Sequence, residues 1–127
     1  MTRQVIDVDG YWKVIVYYNV DYSLFEYIIT DLEKIAAKGG AIYKIYTMMR
    51  SRQAKAVTYS NSNKHISIVL FNTHDTLDDY INSIVHEAEH IKQAMLIEYK
   101  VEDKGESPAY TIGYLVKEMW RVFRNII

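Results

Sequence analysis

Residues 83 to 93, SIVHEAEHIKQ, contain two histidines four positions apart, with a glutamate directly after the first. They lie within a longer pattern, from Asp75 to about Lys100, in which apolar residues recur at helical spacing. That stripe consists of Leu77, Ile81, Ile84, Ala88, Ile91 and Met95. At about 100° per residue, His86 and His90 project from the opposite side of the helix. The segment therefore predicts a helix that packs with one face and presents both histidines on the other.

The spacing of His86, Glu87 and His90 fits a metal site. Side chains at positions i and i+4 of a helix lie about 5 to 6 Å apart at Cβ, so both imidazoles can bind one zinc ion. Glu87 lies one step around the helix, where it can reach an open metal position and deprotonate a water molecule there. The alternative is a pair of solvated histidines on an exposed polar face. The helical context favours the metal site.

A catalytic zinc ion takes three protein ligands, so another segment must supply the third. The chain has no cysteine, which leaves histidine and carboxylate side chains. Glu106 can point back at the histidine pair after the chain reverses, and it is the preferred third ligand; a plain helix N-terminal carboxylate is the alternative for it. The other candidates for the third ligand are Asp103, Glu102, His74 and His65.

Tyr110 follows Glu106 by one helical turn and would face the same site. Its phenol could donate a hydrogen bond to a developing oxyanion, which makes Tyr110 a candidate catalytic residue. The chain has twelve tyrosines, and a half-buried packing residue is the alternative for this one.

Residues 11–40 predict one strand followed by one helix. Residues 11–20, YWKVIVYYNV, are rich in β-branched and aromatic residues and indicate a buried strand. The helix after it would open with a capping box formed by Ser23 and Glu26. Gly39 and Gly40 would end that helix.

The later segments complete an α+β pattern in the order β-α-α-β-β-α-α. A short helix is predicted over 41–52, and a hairpin whose two strands flank the turn residues 61–63. The last helix would start near Glu106 or Ser107, with Ala109, Ile112, Met119 and Val122 on its buried face. The predicted fold is a small antiparallel or mixed sheet packed against the histidine helix and the following C-terminal helix.

Composition limits the class of protein. The 127 residues fit one domain over 1–127, and a net charge of -1 without charge runs favours neither nucleic acid nor an anionic membrane as partner. Disulfides are excluded by the lack of cysteine. The start of the chain lacks the apolar stretch of a secretory signal, and no segment approaches a membrane span, so a cytoplasmic protein is expected.

The motif HEAEH at 86–90, followed by ESPAY at 106–110, resembles the gluzincin branch of the zincin metallopeptidases. It is more loosely similar to the small ImmA/IrrE-type zincins of phages and mobile elements, whose glutamate helix shows a comparable run. That run corresponds here to Glu106, Ala109, Gly113 and Leu115. The resemblance covers residues 66 to 118, and no match is apparent beyond them.

The resemblance implies a zincin-like fold, Zn²⁺ held by His86, His90 and Glu106, and peptidase activity on a peptide or protein with Glu87 as base. In zincins an edge strand pairs with extended substrate, and residues 65–71, HISIVLF, would be its counterpart. Two other functions stay open. One is a zincin-like scaffold that keeps metal but acts in binding or regulation, and the other is a phage or mobile-element accessory protein with incidental histidines.

Overall fold

The computed structural model describes residues 1–126, which form four strands and four helices joined by short turns. In chain order these are β1 (Thr2–Val8), β2 (Trp12–Tyr18), α1 (Phe25–Lys34), α2 (Gly39–Arg50), β3 (Ala56–Asn61), β4 (Ile66–Phe71), α3 (Leu77–Tyr99) and α4 (Glu106–Phe123). The α+β class is confirmed. The sheet contains one strand, β1, that was not predicted.

The strands form one mixed sheet in the order β1-β2-β4-β3. β1 is antiparallel to β2, β2 is parallel to β4, and β3 is antiparallel to β4 in the predicted hairpin. Because β4 has a neighbour on each side, the prediction that residues 65–71 form an edge strand is wrong. The edges of the sheet are β1 and β3.

A tight turn joins β1 to β2. Asp9 and Gly10 both have positive φ, 53° and 76°, and the Tyr11 amide donates to the Val8 carbonyl at 2.9 Å. Asp-Gly is the dipeptide that tolerates such a turn best, because glycine has no Cβ and aspartate adopts the left-handed region readily. The sequence therefore contained a hairpin signal at residues 9–10 that the prediction overlooked.

Helices cover both faces of the sheet. One face packs against α3 and α4, and its core contains Trp12, Val14, Val16, Val69, Phe71, Ile84, Ile91, Leu115 and Met119. The other packs against α1 and α2, and its core contains Ile15, Tyr17, Phe25, Ile28, Leu32, Ile45, Ile68 and Leu70. Successive residues of the central strands alternate between the two cores, as the two-residue period of a strand requires.

The predicted limits of α1 are wrong at both ends. The capping box Ser23–Glu26 does not form, since the Asp21 side chain instead accepts from the Ser23 amide and caps a short 3₁₀ turn before α1. The helix ends before the glycines, where Ala36 adopts a φ of 64°. Gly39 and Gly40 are the first residues of α2.

The buried face of α4 is rotated slightly from the predicted one. Met119 is buried as expected, but Ala109 is exposed, and Pro108, Leu115 and Phe123 complete the buried face. The helix thereby presents its larger apolar side chains to the sheet. No helix within residues 1–126 has the length and apolar character needed to cross a bilayer.

Candidate metal centre

Helix α3 positions the histidines. The Thr76 side chain caps its N-terminus by accepting from the Asp79 amide, and Lys100 ends it with a φ of 55°. The face toward the sheet consists of Tyr80, Ile84, Glu87, Ala88, Ile91 and Met95. Leu77 and Ile81 are exposed, because the apolar stripe begins one turn later than predicted.

His86 and His90 lie on the exposed side of α3, as predicted, and their rings are close together. The ring centroids are 4.7 Å apart, and the two Nε2 atoms are separated by 3.1 Å, a distance at which one imidazole N–H donates a hydrogen bond to the other ring. Two nitrogens that bind one tetrahedral zinc ion at about 2.0–2.1 Å lie roughly 3.3 Å from each other. The spacing of the two Nε2 atoms is therefore close to what a shared metal ion requires.

Glu87 points toward the sheet, away from the exposed face of α3 that carries the two histidines. It is 4% exposed, and its Oε1 accepts a hydrogen bond of 2.9 Å from the hydroxyl of Thr58. Thr58 belongs to β3, the edge strand beside α3. One step along a helix rotates a side chain by about 100°, which moves Glu87 from the exposed face of the histidines to the edge of the buried face.

Thr58 was missed as a site residue, although the sequence contained a signal. In the strand AVTYSN, Ala56 packs in the core under α3, while Val57 and Tyr59 pack on the opposite face. The period of two therefore directs Thr58 and Ser60 toward α3. Small hydroxyl side chains on a covered face indicate that a polar group lies opposite them.

The predicted third ligand, Glu106, is the first residue of α4 and is exposed. Within residues 1–126, no three histidine or acidic side chains approach closely enough to form a metal-binding group. The structure therefore brings His86 and His90 together but does not bring Glu106 to them. Tyr110 is 62% exposed and stacks on Tyr114 with a centroid distance of 6.4 Å.

The two other acidic candidates have cationic partners. Both carboxylate oxygens of Asp103 lie 2.9 Å from Nζ of Lys92, and Gln93 donates a further hydrogen bond of 2.8 Å. The hydrogen bonds from Lys92 and Gln93 lower the pKa of Asp103. The hydrogen bonds that Lys92 donates to Asp103 raise the pKa of Lys92. Glu102 is paired with Lys104 at 2.9 Å on the surface. Asp103 therefore ties the loop after α3 back to that helix.

The two other histidines are also engaged elsewhere. His74 bridges the backbone oxygen of Asn72 and the hydroxyl of Ser83, at 2.7 Å each. His65 lies near the C-terminal end of α3, where its Nε2 is 3.3 Å from Glu98. Within residues 1–126, the Glu106 carboxylate, unlike these four candidates, has no hydrogen-bond or ion-pair partner. A change in its side-chain conformation would therefore break no hydrogen bond or ion pair among these residues.

No protein-family model, curated protein or solved structure matches this chain.

Proposed function

We propose that the protein is a small zinc-dependent hydrolase of peptide or related amide bonds. The observation on which this depends is the 3.1 Å separation of the His86 and His90 Nε2 atoms on the exposed face of α3. Two imidazoles held at that distance on one rigid helix lose little freedom when they bind a shared ion. Glu106 is the proposed third ligand.

The donor set suits zinc. Two neutral imidazoles and one carboxylate match the ligands of catalytic zinc sites, with a fourth position left for substrate or water. Zinc in such a site supplies a Lewis acid that polarises a carbonyl and lowers the pKa of water toward neutrality. Glu106 starts α4, the helix that follows α3 and shares its core, and the proposal requires its carboxylate to move to the histidine pair when zinc binds.

Glu87 is the proposed general base. Its carboxylate accepts the proton of the attacking water and then donates that proton to the leaving amine. To do so, Glu87 must give up its hydrogen bond from the Thr58 hydroxyl and accept one from the attacking water instead. Among the described residues, Thr58 is the one hydrogen-bond partner of Glu87. Tyr110, exposed one turn after Glu106, would donate a hydrogen bond to the oxyanion that develops on the substrate.

Zinc titration by isothermal calorimetry tests the ligand set. We expect one zinc ion per wild-type chain, a loss of binding of roughly 100-fold or more for His86→Ala and His90→Ala, and weakening of roughly tenfold or more for Glu106→Gln. Asn82→Ala is a control at an exposed neighbour on α3, and Glu102→Gln is a control at the competing acidic candidate, which is paired with Lys104. Absence of stoichiometric binding would refute the metal site, and equal effects of Glu106→Gln and Glu102→Gln would refute the third ligand.

A second function is a metal-binding scaffold without turnover that acts in binding or regulation. The observation that favours it is the orientation of Glu87, whose carboxylate is directed into the protein and held by β3. This alternative predicts zinc binding like that of the hydrolase. It also predicts that a library of fluorogenic peptides is not cleaved by the zinc-loaded protein.

A further inference from the structure

A positively charged groove lies on the sheet face opposite α3, between α1 and the strands β1, β2 and β4. Its volume is about 490 Å³, and Arg3, Lys13, Lys34 and Lys64 line it together with a single acid, Asp31. The chain as a whole has a net charge of -1, so the concentration of four cations in one groove is a local feature.

The lysines supply the free charge of the groove. Arg3 is neutralised by Asp31, whose carboxylate lies 3.0 Å from the guanidinium Nε. Within residues 1–126, Lys13, Lys34 and Lys64 form no salt bridge, and all three are exposed. Asp7 faces Lys13 across the β1–β2 ladder and offsets part of this charge, which still leaves an excess of positive charge.

The floor of the groove is apolar. It is formed by Val5, Ile15 and Ile66 from three neighbouring strands, and Val5 is 48% exposed although it lies on the covered side of the sheet. No aromatic ring within residues 1–126 lines the groove, so it lacks the stacking platform by which proteins bind unpaired bases. An aliphatic floor with a cationic rim suits a polypeptide that carries both apolar and acidic side chains.

The groove adjoins the β1 edge of the sheet. The Lys13 amide donates to the His65 carbonyl at 3.0 Å, away from β1, so Lys13 and Asp7 form a non-hydrogen-bonded pair. By the alternation of an antiparallel ladder, the backbone groups of Asp7, Val5 and Arg3 point outward. In agreement, the Tyr114 hydroxyl donates to the Asp7 carbonyl at 2.9 Å from outside the sheet.

We infer that β1 and this groove bind an extended acidic segment of another polypeptide. The segment adds to the sheet beside β1 through hydrogen bonds with the backbone of Arg3 and Val5. Alternate side chains of the segment then point to the groove side of the sheet, where the positive charge of Lys13, Lys34 and Lys64 attracts their carboxylates. Since the groove is on the opposite face from α3, this function is independent of the proposed zinc site.

Fluorescence anisotropy with a labelled eight-residue peptide that alternates glutamate and threonine tests the inference. We expect it to bind at least roughly tenfold more tightly than the same peptide with glutamine for glutamate, because interfacial charge pairs set the partner. The triple variant Lys13→Gln, Lys34→Gln, Lys64→Gln should weaken binding by a similar factor. The matched control Lys44→Gln, Lys55→Gln, Lys104→Gln changes the net charge equally at exposed lysines outside the groove and should bind like wild type.

Val5→Pro separates strand addition from simple charge attraction. It removes the outward-facing N–H of Val5, and an edge strand tolerates proline at such a position. The variant should bind the acidic peptide more weakly although its lysines are unchanged. If proline lowers the melting temperature, the same peptide with N-methyl groups on alternate backbone nitrogens gives this readout, because it loses the donors that strand addition uses and keeps its charge. The inference is overturned if the peptide does not bind, or if its affinity is the same for wild type and for either the triple lysine variant or the strand-addition test. Tighter binding of an eight-nucleotide oligo(dT) through the same lysines would also overturn it.

Discussion

Glu87 is the residue on which the choice between hydrolase and scaffold depends. It is buried against Thr58 and is not proposed as a ligand, so Glu87→Gln should preserve zinc affinity and fold. If Glu87 is the general base, the variant should lose roughly 100-fold or more of the peptide-cleavage rate, since proton transfer contributes at least that factor. Cleavage by the zinc-loaded variant at the wild-type rate would exclude this role.

Thr58 should stabilise the fold by its contact with Glu87. Thr58→Val keeps the shape of the side chain but leaves the buried carboxylate without its hydroxyl donor, which should cost about 1–3 kcal/mol of unfolding free energy. Urea denaturation measures this loss. The double variant with Glu87→Gln should cost less than the two single changes added together, and simple additivity would show that the two side chains do not interact.

Tyr17 should make stability sensitive to alkaline pH. Burial raises its pKa from 10.0 to about 12, and the hydrogen bond that its hydroxyl donates to Asp31 acts in the same direction. The unfolded chain therefore loses this proton first, so the free energy of unfolding should be at its full value below pH 10 and decline between pH 10 and 12. The decline should be shallower in Tyr17→Phe, whereas the exposed control Tyr27→Phe should follow wild type.

Among the helices and strands, the sequence predicted those features that depend on residues close together in the chain. The period of α3 and the turn between β3 and β4 depend on residues close together in the chain, and both were predicted correctly. The parallel pairing of β2 with β4 joins residues about fifty positions apart, and no local pattern encodes it. That pairing is what moves β4 to the centre of the sheet and leaves β3 beside α3.

The same distinction applies to the candidate site. Helical spacing placed His86 and His90 on one exposed face, because that depends on helix geometry alone. The period of β3 indicates the face to which Thr58 points, but not that Glu87 lies opposite it, since that depends on which strand lies under α3. Thr58 occupies that position only because β3 is the edge strand next to the helix.

The loop between α3 and α4 should control the third ligand. Asp103 lies three residues before Glu106, the first residue of α4, and its ion pair with Lys92 holds the loop to α3. Asp103→Asn should therefore weaken zinc binding by roughly tenfold without removing a ligand, as changes in supporting residues of metal sites do. Calorimetric zinc titration of Asp103→Asn, with Glu102→Gln as the control variant, checks this prediction. Equal affinities in the two variants would mean that the loop does not position Glu106.

For the whole molecule, the central strands should couple the two cores. Neighbouring residues of β2, such as Val14 and Ile15, are buried on opposite faces of the sheet, so neither helical layer can separate without exposing the strands that support the other. A ligand bound on one face should therefore stabilise both. Zinc at about 100 times its Kd should add about 2.7 kcal/mol to the free energy of global unfolding.

Hydrogen exchange measured by mass spectrometry can test this coupling. With zinc, the slowest-exchanging amides should gain protection in α3 and α4 and also in β2, β4 and α1, because those amides exchange only when the whole domain opens. His90→Ala should abolish the gain in every element, which separates zinc bound at the histidine pair from zinc bound elsewhere. Protection confined to α3 and α4 would show that the two layers open independently and that the sheet does not transmit stability between its faces.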